Sequence, residues 1–274
     1  MKTKKNTYAL ITGASSGIGM AFARSLAMEG HDLVLVARRK EQLEKLAREL
    51  TKYNIDIKIF SADLSSDSGV TSLESKIIQK HNIHLLINSA GFGTRGHFAD
   101  LDAEKIQKMI YLHTMAPARL TRAVLPEMIK NNSGIIIAIS SLAAFLTTAE
   151  YVTYSATKSF LNTFCTGLSD ELAATNVKIY SICPGLTKTE FMSTEEYKNF
   201  NYNEIPDFAW MTPEDVVEIS LKKINSVNKP VIIPGAGNRF FVAILNFPLL
   251  GLLIRNLLRY LSRRRIIQGK PALY

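Results

Sequence analysis

Tyr154 and Lys158 stand four positions apart in the run Tyr154-Ser155-Ala156-Thr157-Lys158, and in a helix that spacing brings both side chains to one face of one turn. The chemistry such a pair offers is proton transfer. A free phenol titrates near ~10, so it exchanges protons at neutral pH only where its surroundings adjust it. A neighbouring ammonium stabilises the phenolate, at about 1.4 kcal/mol for each unit of lowering. Taken alone, a Tyr and a Lys at this spacing are more often packing residues than catalysts, so the rest of the chain must supply the context. Ser141 ends an apolar run 13 residues before Tyr154, a loop's distance, from which a hydroxyl can face the phenol across a cleft.

The elements that must position these side chains alternate along the chain. Short apolar, β-branched runs at 8–12, 31–37, 56–62, 84–88, 134–139, 178–183 and 231–234 read as strands, and helical segments separate most of them. Such alternation implies a parallel sheet covered on both faces, with ligands gathered at the carboxyl ends of the strands. The polar turns fall at those ends. The first is Gly13-Ala14-Ser15-Ser16-Gly17-Ile18-Gly19, placed between a strand and a helix, where absent Cβ atoms let a pyrophosphate approach the backbone and the helix N-terminus favours the anion. The second strand runs into Arg38-Arg39-Lys40 with no acid. An acid there would accept a ribose 2′-hydroxyl, whereas arginine suits a 2′-phosphate, so NADP(H) is expected over NAD(H). Two separate helices are expected at 103–113 and 117–130, the second opening on Pro117. The segment from 190 to 211 is polar and aromatic without clear periodicity, as a lid over the cleft would be.

Composition bounds the remaining possibilities. The chain has 274 residues, 47% of them hydrophobic and 21% charged, enough to bury a substantial core and unlike a disordered protein. Its net charge of +9 is local: Lys222, Lys223, Lys229, Arg239, Arg255, Arg259, Arg263, Arg264, Arg265 and Lys270 follow Glu218, and no acid does. Of the 33 basic side chains, 23 remain to face all 24 acids in the preceding part, so a basic tail follows a nearly neutral body. No nucleic-acid-binding motif accompanies the charge, and none is expected to bind. Cys165 and Cys183 lack metal-ligand spacing and lie in apolar runs, as reduced thiols of an intracellular protein do. No metal is expected, and the lysine-rich N-terminus does not lead into an export signal.

Taken together, Thr12-Gly13-x3-Gly17-x-Gly19, Asp63, Asn88-x-Ala90-Gly91, Ser141, Tyr154-x3-Lys158 and Pro184-Gly185 resemble the motif set of the short-chain dehydrogenase/reductase family. The likeness spans roughly residues 8–233 and looks closest to bacterial NADP-linked members of unassigned substrate. It implies one doubly wound Rossmann-type α/β domain over 1–238, with a seven-stranded parallel sheet, and a C-terminal helical extension over 239–274. It also implies that Tyr154 protonates a substrate carbonyl, that Ser141 bonds the same oxygen, and that Lys158 tunes Tyr154 and holds the nicotinamide ribose. Gly13, Ser15, Ser16, Gly17, Ile18 and Gly19 would line the phosphates. Asp63 and Leu64 would meet the adenine, Asn88, Ala90 and Gly91 the ribose, and Pro184, Gly185, Thr187 and Thr189 the carboxamide. The expected activity is NADP(H)-dependent interconversion of a carbonyl and a secondary alcohol, on an apolar or lipid-like small molecule, by a cytoplasmic homodimer or homotetramer. The competing reading is a nucleotide-binding sensor or membrane-surface interaction protein that keeps the fold without turnover.

The chain departs from the family pattern at two positions. His113 stands where the family usually has an asparagine supporting a proton relay to the lysine, and Ser89 replaces a second asparagine. Histidine either keeps the relay, with a pH-sensitive link, or is simply a satisfied buried side chain. Beyond the last motif, the apolar run 240–254 is too short to span a bilayer. Arg255, Arg259 and Arg263 then recur every four residues with leucines between them, giving a helix with one basic and one apolar face. That helix is expected at a membrane surface, against another subunit or over the substrate cleft.

Overall fold

The apolar runs pair into one parallel sheet in the computed structural model, which describes residues 7–146, 149–193, 205–224, 226 and 229–267. The strands are β1 (Thr7–Thr12), β2 (Asp32–Ala37), β3 (Ile57–Ser61), β4 (Asn82–Asn88), β5 (Gly134–Ile139), β6 (Val177–Ile182) and β7 (Val231–Ile232), in the order β3-β2-β1-β4-β5-β6-β7. All six strand pairings are parallel. Because side chains alternate between faces, each run feeds two cores. Ala9, Ile11, Leu33, Leu35, Leu85 and Ile87 pack on one side of the sheet. Leu10, Val34, Val36, Leu86, Ile136 and Ala138 pack on the other. Continuous apolar runs are therefore required, and each fully buried Leu or Ile contributes roughly 1.5–3 kcal/mol.

The order reverses between β1 and β4, so the chain leaves their carboxyl ends in opposite directions and opens a crevice there. Thr12 holds its two walls together. Its hydroxyl donates to the Ile87 carbonyl and accepts from the N–H groups of Ser89 and Ala90.

Helices α1 (Gly17–Met28), α2 (Lys40–Leu50) and α3 (Asp67–Lys76) connect the first strands. After β4 come α4 (Ala103–Ile110) and α5 (Ala116–Lys130), which do not separate as expected. A π turn, Tyr111–Met115, joins them into one continuous helix. Pro117 has no N–H for the His113 carbonyl four residues earlier, and its ring would crowd that carbonyl in a regular helix. The wider π turn removes the conflict without ending the helix, and the Ala116 N–H bonds back to Tyr111. Helix α6 (Val152–Glu171) carries Tyr154 and Lys158, and α7 (Pro213–Ile224) precedes β7. Of the expected lid at 190–211, residues 194–204 lie outside the described residues.

The tail forms two helices, α8 (Ala236–Asn246) and α9 (Pro248–Ile267), so position 238 falls inside α8. Among the described residues no single helix is long and apolar enough to cross a membrane; α8 and the first part of α9 reach that criterion only together, across a 102° bend.

Candidate active site

The catalytic candidates converge from three elements. β5 runs into Ser140 and Ser141, whose loop is tied to the end of β6 by the Leu142 N–H to the Pro184 carbonyl at 3.0 Å. The Ser141 hydroxyl accepts from the Ala143 N–H at 3.1 Å, which fixes its direction, and it stands beside the Tyr154 phenol, whose proton affinity it lowers. Lys158 lies one turn further along α6, with its ammonium 5.6 Å from the Tyr154 ring centre and donating to the Ile139 carbonyl at 2.9 Å. The Ser140 hydroxyl donates to the Lys158 carbonyl, fastening α6 to the end of β5.

Burial governs the proton affinities here. It pushes Tyr154 up to about 12, against the lowering effect of the Ser141 hydroxyl. It also brings Lys158 down to about 8. Removing both groups from water disfavours phenolate and ammonium alike. The phenol is thus held protonated at neutral pH, as a proton donor must be.

His113 sits directly behind this pair, fully buried in the π turn. Its Nε2 accepts from the Phe92 N–H at 3.2 Å, so the neutral ring carries its proton on Nδ1. Nδ1 lies 3.0 Å from the Thr157 hydroxyl, which itself donates to the Tyr154 carbonyl at 2.8 Å. Every proton in that chain has a defined place. A second proton on Nε2 would face the Phe92 N–H, and burial together with the Lys158 charge holds His113 well below the usual histidine range. This geometry speaks for the satisfied buried histidine and against a pH-sensitive relay through its ring. Gly91 is required beside it, since a Cβ there would lie 2.8 Å from Nε2.

The nucleotide candidates line the crevice beside this centre. Gly13 has φ +69°, and a Cβ on it would meet the Ala90 backbone at 2.8 Å. Gly19 is excluded from any other identity by the Gly13 carbonyl, 2.4 Å from its Cβ position. Gly17 opens α1, so the free N–H groups of its first turn border the glycine turn. Ile18 sends its side chain against the core. Arg39 reaches this turn, with Nη2 3.0 Å from the Ser15 hydroxyl and 2.9 Å from that of Ser16. Its Nη1 pairs at 2.8 Å with Glu190, which has come across from the far side of the cleft. Thr189 follows the same path, with its methyl 3.1 Å from the Cβ position of Gly17. Phe191 then packs on Tyr154, ring centres 5.7 Å apart. Residues 189–191 therefore bridge the crevice from the arginine to the phenol.

Arg38 acts on Asp63 through its charge. Burial opposes the Asp63 carboxylate, but the N–H and hydroxyl of Ser65 and the Arg38 charge keep it below the usual carboxyl range. Leu64 turns its side chain into the core, leaving its backbone at the edge. Asn88 is buried with neither amide atom bonded, and Ala90 is held through its N–H by Thr12. Gly185 abuts the Asn238 amide of α8, 2.7 Å from its Cβ position. Thr187 forms an isolated bridge with Met211. Glycines that leave no room for a Cβ, a helix N-terminus, an arginine over two hydroxyls and an orphaned buried amide fit a nicotinamide dinucleotide. Among the described residues no group of His, Cys, Asp or Glu is arranged to hold a metal ion.

Several contributors escaped the sequence reading. Thr157 and Glu190 carry no motif signal, since their roles depend on partners 44 and 151 residues away. Glu150, with φ +68°, precedes α6 and pairs with Arg95 at 3.2 Å in a buried ion pair that sets the helix's entry.

Comparison with known proteins agrees with this geometry. The short chain dehydrogenase family model matches residues 7–199. The uncharacterized oxidoreductase YmfI of Bacillus subtilis is 34% identical over 217 residues, 78% of this chain and 89% of that protein. A very-long-chain 3-oxoacyl-CoA reductase of Anas platyrhynchos is 31% identical over 219 residues, 78% of this chain and 67% of that one. Among solved structures, a short-chain dehydrogenase from Sphingobium yanoikuyae in complex with NADPH is similar with a TM-score of 0.79 and 32% identity, covering 90% of this chain and 94% of that one. With the Ser141, Tyr154 and Lys158 side chains assembled at the switch point of a seven-stranded parallel sheet, the chain belongs to the short-chain dehydrogenase/reductase family of oxidoreductases.

Proposed function

We propose that this protein is an NADP(H)-dependent carbonyl reductase that converts a ketone of an apolar or lipid-like small molecule into a secondary alcohol. The observation that carries the proposal is the placing of the Ser141 hydroxyl beside the Tyr154 phenol, with Lys158 one turn away. Nicotinamide supplies the hydride when it is bound. The chain's own residues do the rest. Ser141 and Tyr154 present two hydroxyls to one substrate oxygen, and both hydrogen bonds strengthen as negative charge develops on it. Tyr154 then donates its proton, because an alcohol holds a proton more tightly than a phenol even at about 12. Phe191 excludes water from the ring face of Tyr154. The neutral phenol suits reduction; the reverse direction requires phenolate, which this burial disfavours.

NADP(H) preference is supported by Arg39 over the Ser15 and Ser16 hydroxyls, with Arg38 nearby and no competing acid at the end of β2. The NADPH complex of the Sphingobium relative is consistent with it. The 3-oxoacyl-CoA reductase relative supports a lipid-like carbonyl. Two buried free thiols accord with a cytoplasmic protein, and the family resemblance with a homodimer or homotetramer. The C-terminal helices supply peripheral contact with the membrane surface.

A panel of carbonyl compounds, with NADPH and NADH oxidation followed by absorbance, tests the proposal. Tyr154→Phe is expected to lose at least about 100-fold in kcat with cofactor binding retained. Arg38→Ala with Arg39→Ala is expected to weaken NADPH far more than NADH. Equal losses for both cofactors would refute the phosphate assignment, and substantial turnover by Tyr154→Phe would refute the acid role.

A further inference from the structure

The tail's apolar and basic residues are not arranged as two faces of one helix, and the difference indicates what they meet. The inward face of α9 is Gly251, Leu258 and Ser262, together with Arg255. Gly251 allows close packing on α8, where a Cβ would strike the Leu245 carbonyl. Arg255 turns inward to donate to the Phe145 carbonyl at 3.0 Å and to that of Leu245 at 3.2 Å. Its charge is thereby withdrawn from the outer surface. What remains outside is divided along the helix. Phe247, Leu249, Leu253 and Leu257 form an apolar elbow, each between 55% and 76% exposed. Arg259, Arg263 and Arg264 lie outward at the far end. No acidic side chain follows Glu218 anywhere in the chain.

We infer that the α8–α9 elbow inserts tip-first into one leaflet of an anionic lipid bilayer, with the distal arginines at its headgroups. Length supports this. Leu249 and Arg259 are ten residues apart, about 15 Å along a helix, which equals half of the ~30 Å hydrocarbon core. A wedge of that depth reaches the leaflet's midplane side while the arginines stay at the phosphate level, where each adds about 1 kcal/mol of attraction to anionic lipid. The 102° bend prevents the pair from acting as a straight span. Exposed leucines of this number are costly in water and seldom left uncovered on a soluble protein. A second copy meeting this elbow through its own tail would bring the same arginines together with no acid in either tail to offset them, so charge favours lipid over tail-to-tail association.

The insertion also orients the enzyme, a consequence that rests on the carbonyl-reductase proposal. Phe145 belongs to the loop that begins at Ser141, and Arg255 ties it to the inserted helix. The cleft mouth is therefore held beside the bilayer, and its substrate is a carbonyl compound dissolved among the lipids.

Flotation of the full-length protein with vesicles of phosphatidylcholine, with and without phosphatidylglycerol, tests the inference. Wild type is expected to float with the anionic vesicles and to lose most binding in high salt. Leu249→Asp with Leu253→Asp should lower the partition coefficient by roughly 100-fold, since two exposed leucines no longer enter hydrocarbon. Arg259→Glu with Arg263→Glu should abolish the preference for anionic vesicles. NADPH oxidation with a water-soluble ketone should be unchanged in the leucine variant, because neither leucine belongs to the catalytic centre; this separates membrane docking from catalysis. Failure of wild type to float, or equal flotation of the leucine variant, overturns the inference. So does a halved mass by light scattering in that variant without vesicles, which would assign the elbow to a second copy.

Discussion

Replacing His113 by alanine tests whether its ring is structural or carries protons. The imidazole is fully buried and fixed at both nitrogens, by Phe92 and by Thr157. Truncation opens a cavity worth about 2–4 kcal/mol, by analogy with other large-to-small core changes. It also leaves the Phe92 N–H without its acceptor, which adds about 1–3 kcal/mol unless water enters. The sum, about 3–7 kcal/mol, corresponds to a fall in Tm of roughly 6–28 °C for a chain of this size. His113→Asn restores one of the two hydrogen bonds and is expected to recover about half of that loss. Thermal and urea denaturation followed by circular dichroism measure both variants. The pH profile of kcat gives the independent readout. His113 stays neutral because burial and Lys158 hold its proton affinity well below 6.5, so the wild-type profile is expected to show no step from this ring between about pH 5.5 and 7.5. A step near pH 6.5 that disappears in His113→Asn would refute the tautomer argument. So would a stability loss under about 1 kcal/mol in His113→Ala.

Other outcomes follow from contacts around the site and beneath it. Glu190 holds Arg39 at 2.8 Å across the cleft, so Glu190→Gln is expected to tighten NADPH several-fold by calorimetry while changing NADH little; an equal change for both would refute the competition. Arg95→Ala removes the Glu150 ion pair and is expected to destabilise the fold by up to about 3–5 kcal/mol in urea unfolding, with recovery when Glu150 is also replaced; an unchanged midpoint would refute a structural role for the pair. His31 and His84 stack with Nδ1 and Nε2 3.0 Å apart, and burial lowers both, His84 to about 4. Because the folded state disfavours the proton, their stability contribution is complete above the unfolded value of about 6.5 and is lost as pH falls toward 4, about 3 kcal/mol for His84. His84→Gln should flatten that slope in unfolding measured across pH 4–8; an unaltered slope would assign acid sensitivity elsewhere.

The amino-acid sequence by itself determined the order of strands and helices, because parallel strands buried on both faces must be apolar throughout and the turns between them must not be. It also determined the glycine turn and the Tyr154–Lys158 face, since 3.6-residue periodicity and the lack of a Cβ are local properties. Even the exception at 111–117 was present in outline: Pro117 disrupts the regular helix four residues after His113, though a π turn rather than a break resolves it. Only the tertiary structure decided how charge and protons are distributed. Whether Lys158 lowers the phenol depends on burial and on the Ile139 carbonyl, neither of which has a sequence signature. Arg38 and Arg39 look alike in the chain, yet only Arg39 bonds the glycine turn and Glu190, while the Arg38 charge acts on Asp63. Arg255 and Arg259 share a four-residue repeat, yet packing on Phe145 withdraws the first from the surface and leaves the second outside. Electrostatic character depends on distance and solvation across elements far apart in sequence, and folding alone brings those elements together.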